Sequence, residues 1–332
     1  MKVRNQFGAM VATFAAASVW ALFTQPASAQ DPVVFTDNFS SGSTLNEASI
    51  PGGTPTASST SYDIVGNKGT TSAGSSISAN DLNLSLSASS SGYVEAQAIF
   101  TDTPLVLVNT GDYVDFTFEF KDTANMGNTN GPNTLWIGLF NSGGVLPFTN
   151  LQNVAGGTNE AGGVQDWTGY SSQLFAAGST SSKLIYRAAQ GLAVGNQDLL
   201  GNDVAAGTYD DPKGVQLMNA STTSTLELTN GNLYTEDFRI TLTAANQLTV
   251  TNTVYAGSGT GGTILFAQGG LSNNVPNTTF DSLAFGWINK DSLVSTEDVS
   301  FVQITSNIPE PSTLALLGTG LALMIGSIRR RR

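Results

Sequence analysis

Hydrophobic and polar residues alternate with a period of two in several short runs of this chain. In "DLNLSLSAS", which begins at Asp81, Leu82, Leu84 and Leu86 fall on one side. In "DYVDFTFEF", Phe116, Phe118 and Phe120 face away from Asp115, Thr117 and Glu119. A strand turns successive side chains to opposite faces, so this pattern predicts strands with one face buried. Further candidate strands occupy residues 93–100, 134–140, 183–188, 225–229, 238–244, 248–255, 283–288 and 299–305. Between them lie Gly-, Asn- and Ser-rich turns, and no run has the period of an amphipathic helix. Ten or more short strands so separated predict an all-β sandwich or barrel of antiparallel sheets. "TLTAANQLTVTNTVY" predicts a hairpin turning near Ala245 and Asn246, since Asn tolerates left-handed backbone angles. Residues 40–78, rich in Ser, Thr and Gly, are expected as a solvent-exposed loop or an irregular edge. No fixed-period repeat points to a solenoid or propeller.

The two ends break this pattern. Lys2 and Arg4 precede an apolar stretch over 7–23, followed by Ala27, Ser28 and Ala29 before Gln30. A basic start, an apolar centre and a small-residue cleavage site predict an export signal peptide over residues 1–29. A permanent N-terminal membrane helix fits less well, because the Ala-rich centre is weakly apolar. At the other end, Pro309-Glu310-Pro311 precedes an apolar stretch over 313–328 and the run Arg329, Arg330, Arg331, Arg332. Sixteen helical residues at ~1.5 Å each span about 24 Å, short of the roughly 30 Å hydrocarbon core. This C-terminal single apolar helix would lodge in the bilayer with its arginines on the cytoplasmic side. Proline on both sides of Glu310 disfavours helix and leaves the junction extended. Residues 30–306 then form one β-sandwich domain, with residues 307–332 as a separate terminal segment.

Charge and composition narrow the functions open to that domain. Residues 30–306 contain 24 acidic and 7 basic side chains, a net charge of about −17. Such a surface repels nucleic acid and anionic lipid. The chain has no Cys and no His. An exported domain without disulfides must rest on the size of its core. The same absence removes Cys/His zinc sites, Ser-His-Asp triads and imidazole acid–base chemistry.

The C-terminal residues quoted above resemble a PEP-CTERM sorting signal, in which the Pro-Glu-Pro motif, the apolar helix and the basic terminus follow in that order. The resemblance implies an exported protein held transiently in the inner membrane by its C-terminal helix. An exosortase would then cut it at Pro309, Glu310 and Pro311 and pass it on to the cell surface or an extracellular polysaccharide matrix. A permanent single-span anchor would give the same topology before cleavage. "FTDNFSSG", "DYVDFTFEFKD", "LWIGLFNSGG", "EDFRITLTAANQLTVTNTVY", "FDSLAFGWIN" and "DVSFVQIT" are together similar to the concanavalin A-like lectin/glucanase sandwich, a jelly roll of two antiparallel sheets. That resemblance implies a lectin-like domain.

Glucanases of that fold carry two carboxylates in a Glu-x-Asp-x-x-Glu type of pattern, which is missing here. Asp115 and Glu119 share a strand face, but at ~3.3 Å per residue they stand about 13 Å apart, beyond the roughly 5 to 9.5 Å of glycosidase pairs. No catalytic residue is therefore assigned. Loop carboxylates at Asp122, Asp198, Asp203, Asp210 and Asp211 are candidate calcium ligands, since a hard cation takes oxygen donors. The same letters also form turns. Calcium is the only candidate cofactor. For sugar binding, Trp167 and Tyr170 in the loop-like "QDWTGY" are the candidate stacking rings, whereas Trp136 and Trp287 sit in apolar runs and are expected in the core. The expected function is a non-catalytic exported surface or matrix protein that binds polysaccharide. The alternatives are a carboxylate-dependent glycan-active enzyme and a structural matrix protein with no ligand.

Overall fold

The computed structural model describes residues 31–40, 43–45, 61–66, 75–86, 92–127, 134–147, 163–175, 182–189, 199, 214–216, 218–220, 226–273, 277–288 and 293–308. The expected signal peptide, the Pro-Glu-Pro motif, the apolar C-terminal stretch, the arginine run and four of the candidate calcium ligands (Asp198, Asp203, Asp210 and Asp211) lie outside these residues. In chain order the strands are Val33–Asp37 (β1), Thr44–Leu45 (β2), Ser61–Gly66 (β3), Ser76–Ser78 (β4), Asp81–Leu86 (β5), Tyr93–Ile99 (β6) and Leu105–Val106 (β7). Tyr113–Ala124 (β8), Thr134–Asn141 (β9), Thr168–Phe175 (β10), Lys183–Arg187 (β11), Gly214–Gln216 (β12) and Met218–Ala220 (β13) follow. The last are Leu233–Ala244 (β14), Gln247–Ala256 (β15), Ile264–Asn273 (β16), Thr279–Phe280 (β17), Ser282–Ile288 (β18) and Ser295–Ser306 (β19).

They form two large sheets, as the alternation demands. One runs β13-β16-β15-β14-β8-β19-β5-β4, with β1 added beside β19; the other runs β12-β11-β10-β9-β18-β6-β3-β2. Every pairing is antiparallel except β2 with β3. Strand β8 alternates as read: Val114, Phe116, Phe118 and Phe120 are buried, and the residues between them are partly exposed. Phe118 stacks on Phe285 of β18 with ring centroids 5.3 Å apart, so the two sheets meet through aromatic faces. Leu82, Leu84, Val250, Val254, Val302 and Ile304 extend the same core. Full burial of each such side chain is worth about 1.5–3 kcal/mol, so this layer holds the sheets together without any disulfide.

The two-sheet sandwich agrees with the fold read from sequence, and several elements differ in detail. Residues 61–66, placed in a loop or edge, are strand β3 with every residue buried. Their polar neighbours in the sequence hid a strand whose two faces are both covered, a case where alternation carries no signal. Residues 226–229, expected as a strand, are not in a sheet. The 244–247 hairpin turns at Ala245 and Asn246 as read, but neither has a positive φ; a register shift between Leu242 and Ala244 accommodates the turn instead. The left-handed pair lies elsewhere, at Ala79 (φ 55) and Asn80 (φ 66), between β4 and β5.

A second apolar layer covers the outer face of the eight-stranded sheet. Trp136, Phe140, Ala284 and Ile288 point outward from their strands and pack with Val164, Trp167 and Leu199. Arg187 is buried at 1% exposure and donates to the carbonyls of Val164 and Trp167, while Glu95 accepts from the Leu199 N–H at 3.0 Å. These two charged side chains pin chain segments over the sheet.

Candidate functional site

The candidate stacking rings lie in the interior. Trp167 is fully buried in the outer apolar layer, and its indole N–H donates to the Val145 carbonyl at 2.9 Å. Tyr170 is not in a loop but on β10, facing the core between the sheets, with its ring 5.3 Å from that of Tyr186. Burial pushes its hydroxyl up to about 12. Neither ring presents a face to solvent; the loop placement inferred from "QDWTGY" holds for Trp167 and is corrected for Tyr170. Trp136 and Trp287 are buried as expected.

Asp122 sits on the inner face of β8 near its end. Its carboxylate accepts from the N–H groups of Met126 and Gly127, both at 3.2 Å, and so anchors the 124–127 loop. Glu297 on β19 stands opposite it in register. Among the described residues no group of three or more Asp or Glu side chains gathers in a way that could hold a metal ion.

Further along the same interior, polar groups bridge the two sheets. Asn252 on β15 donates to the Ser172 hydroxyl at 2.7 Å and to Glu236 Oε1 at 2.6 Å. Gln268 donates to the same hydroxyl at 2.6 Å. Glu236 Oε2 and Glu297 Oε1 have no hydrogen-bond partner among the described residues. Burial pushes Glu236 up to about 8, and the Asn252 hydrogen bond only partly opposes this. Burial raises Glu297 well above the usual carboxylate range, reinforced by Glu236 and Asp122. Burial thus favours the neutral, protonated form of both carboxyls.

The outer face of the nine-stranded sheet is polar and partly exposed over β8, β14, β15 and β19. Register places Thr253, Asp237, Thr117 and Gln303 in one row across these strands. The next rows hold Thr251, Arg239, Asp115 and Thr305 on one side, and Tyr255, Thr235, Glu119 and Phe301 on the other. Tyr255 is half-buried in this row, and burial first, then the Asp237 carboxylate, push its hydroxyl up. Thr117 donates to Asp237 at 3.2 Å. Asp115 and Glu119, the carboxylates weighed as a catalytic pair, have other partners here. Asp115 lies 3.8 Å from Arg239, whose guanidinium covers the Tyr113 ring, and Glu119 accepts from Ser258 and the Gly259 N–H. Sequence reasoning read strand β15 but not its outer face; Thr249, Thr251, Thr253 and Tyr255 at every second position were the available signal.

Strand β19 leads directly to the terminal segment. Asn307, one residue past its end, accepts from the Tyr113 N–H at 2.8 Å and donates to the Gly111 carbonyl at 2.9 Å. The Ser306 hydroxyl donates to the Tyr113 carbonyl at 2.7 Å and accepts from the Ile308 N–H at 3.1 Å.

Residues 307–332 match the family model of the PEP-CTERM protein-sorting motif. A motif of this kind marks an exported protein that passes through a membrane-anchored sorting intermediate and is processed by an exosortase. No curated protein matches the chain. Among solved structures, lectin II from Ulex europaeus is similar at 11% identity, covering 84% of this chain and 100% of that one with a TM-score of 0.37. Peanut lectin is similar at 9% identity, covering 73% of this chain and 90% of that one with a TM-score of 0.36. The exoplasmic/lumenal domain of VIP36, in a form bound to Ca2+ and Man2, is similar at 11% identity, covering 74% of this chain and 80% of that one with a TM-score of 0.38. These neighbours are legume-lectin and concanavalin A-like sandwiches.

Proposed function

We propose that this protein is a non-catalytic component of the cell surface or extracellular matrix, released by exosortase cleavage at Pro309 to Pro311, and that its sandwich holds neutral polysaccharide. The sorting-motif match at residues 307–332 carries the reading, because a motif of this kind supports export through a membrane-anchored sorting intermediate. The open outer face of the nine-stranded sheet supplies chemistry suited to such a ligand. Part of the Tyr255 ring offers an apolar surface for a pyranose face, and Asp237, Thr117, Thr253 and Gln303 offer acceptors and donors to sugar hydroxyls. Strands stand about 4.8 Å apart, so polar groups recur across the row at a regular step that an extended polymer can follow. A net charge of about −17 on residues 30–306 favours a neutral polymer over an acidic one.

Retention of the purified protein on immobilised neutral β-glucans tests the binding part. Tyr255→Ala and Asp237→Ala are each expected to weaken retention roughly tenfold, the loss of one stacking ring or one charged hydrogen-bond acceptor. Retention that is unchanged in both variants would remove this face from consideration. No retention of the wild type on any glucan would favour a purely structural matrix protein.

A further inference from the structure

We infer that Asn307 is a positioning residue for the processing step, a latch that holds the chain just ahead of the motif on the folded sandwich and slows its entry into the processing enzyme. The inference rests on the reading of residues 309–311 as the cleavage motif. Its structural basis is the absence of any linker between the folded domain and that motif. Strand β19 lies inside the nine-stranded sheet, between β8 on one side and β5 and β1 on the other, and Ser306 is still paired with Val114. Asn307 then grips both Gly111 and Tyr113, and the Ile308 N–H is taken by the Ser306 hydroxyl. The turn that receives Asn307 is itself tied down. The Gly111 N–H donates to Leu242 O, the Leu242 N–H donates to Asp112 O, and the Asp112 carboxylate accepts from the N–H groups of Val108 and Asn109. Residue 308 is the last with a described bond to the sandwich, and Pro309 follows it at once.

Enzymes that read a peptide as an extended segment use its main-chain groups together with pockets for its side chains. Upstream of Pro309 the Ser306 main chain is paired with β8, the Ile308 N–H is taken by the Ser306 hydroxyl, and the Asn307 side chain ties the segment to the 111–113 turn. An enzyme whose contacts reach beyond the motif must therefore wait for residues 307–308 to lift from the sandwich. The side chain of Asn307 is exposed, so this is a local opening that leaves the sheet intact.

The test follows conversion of the full chain to the shorter form by intact mass, in membranes that contain the native processing enzyme. Asn307→Ala removes both hydrogen bonds and is expected to speed conversion roughly threefold to tenfold. Asn307→Asp should fall between, since a carboxylate still accepts from the Tyr113 N–H but cannot donate to Gly111 O. A four-residue Gly-Ser insertion between Ile308 and Pro309 should speed conversion with the latch intact, and Asn307→Ala should then add nothing further. That masking separates a latch from a general loosening of the fold, which would accelerate both backgrounds. Wild-type or slower conversion in both Asn307→Ala and the insertion variant would overturn the inference. A variant with Glu310→Gln and both flanking prolines changed to Ala should stay full length throughout. Its conversion would instead overturn the processing reading on which the latch depends.

Discussion

At the scale of single residues, the interior of this sandwich is unusual for carrying acids. Glu236 and Glu297 lie within the core layer, each with one carboxyl oxygen that lacks a hydrogen-bond partner among the described residues. A buried carboxylate is costly, so both groups keep their protons to higher pH than an exposed side chain would. For Glu236 the folded value of about 8 stands above an ordinary 4.5. Between those values the folded protein holds a proton that the unfolded chain has released, so stability is full below about pH 4.5 and falls as pH rises towards 8. Glu297 adds a loss of the same sign, and Asp63, raised to about 7 by burial, adds another. Thermal unfolding from pH 5 to pH 9 should show the midpoint dropping across this window. Glu236→Gln keeps an acceptor for Asn252 and removes the titration, so at pH 8 it should raise the midpoint by about 5 °C while changing little at pH 5. A pH profile parallel to the wild type would show that Glu236 does not titrate there.

At the scale of elements, β8, β18 and β19 carry the architecture. Strand β8 supplies three phenylalanines to one side of the core, and Phe285 of β18 meets Phe116 and Phe118 from the other sheet. Phe118→Ala opens this contact and is expected to cost about 3–5 kcal/mol, read from a denaturant titration. Strand β18 is squeezed between β6 and β9 so closely that a Cβ on Gly286 would stand 2.1 Å from the Val94 carbonyl oxygen. Gly286→Ala must therefore push β6 away, and it should lower the unfolding midpoint by on the order of 5 °C or more. A midpoint equal to wild type would mean that the two strands part more easily than the backbone distances indicate. Much of this level was legible beforehand. The outlines of β5, β8, β15 and most of β19 follow from period-two runs, and those of β9 and β18 from short, mostly apolar runs. Strand β3 did not, because both of its faces are covered and its polar residues, such as Asp63, are buried along with its apolar ones. Strand β10 was also missed, since "TGYSSQLF" mixes small, polar and aromatic residues with no clean alternation.

At the scale of the whole molecule, charge and topology divide the roles. About −17 charges on residues 30–306 surround a core that needs no disulfide. The purified processed protein should therefore remain unbound when mixed with anionic lipid vesicles at low salt, and co-sedimentation would reveal a cationic patch strong enough to outweigh the net charge. Sequence alone determined the all-β class, the acidic character and the terminal sorting segment, because each is written locally: alternation in runs of six to twelve residues, a sum over side chains, and a contiguous motif. It could not determine which aromatic rings remain open. Trp167 and Tyr170 read as loop residues, yet the pairing of β10 with β9 and β11 turns Tyr170 into the core, and the segment around Val164 seals Trp167 against the outer sheet face. Nor could it place Asn307 against Gly111 and Tyr113, a contact that spans 194 positions of chain to Tyr113. Such contacts depend on the order of strands in the sheets, and that order is set by the packing of two faces against each other, which no local window of sequence contains.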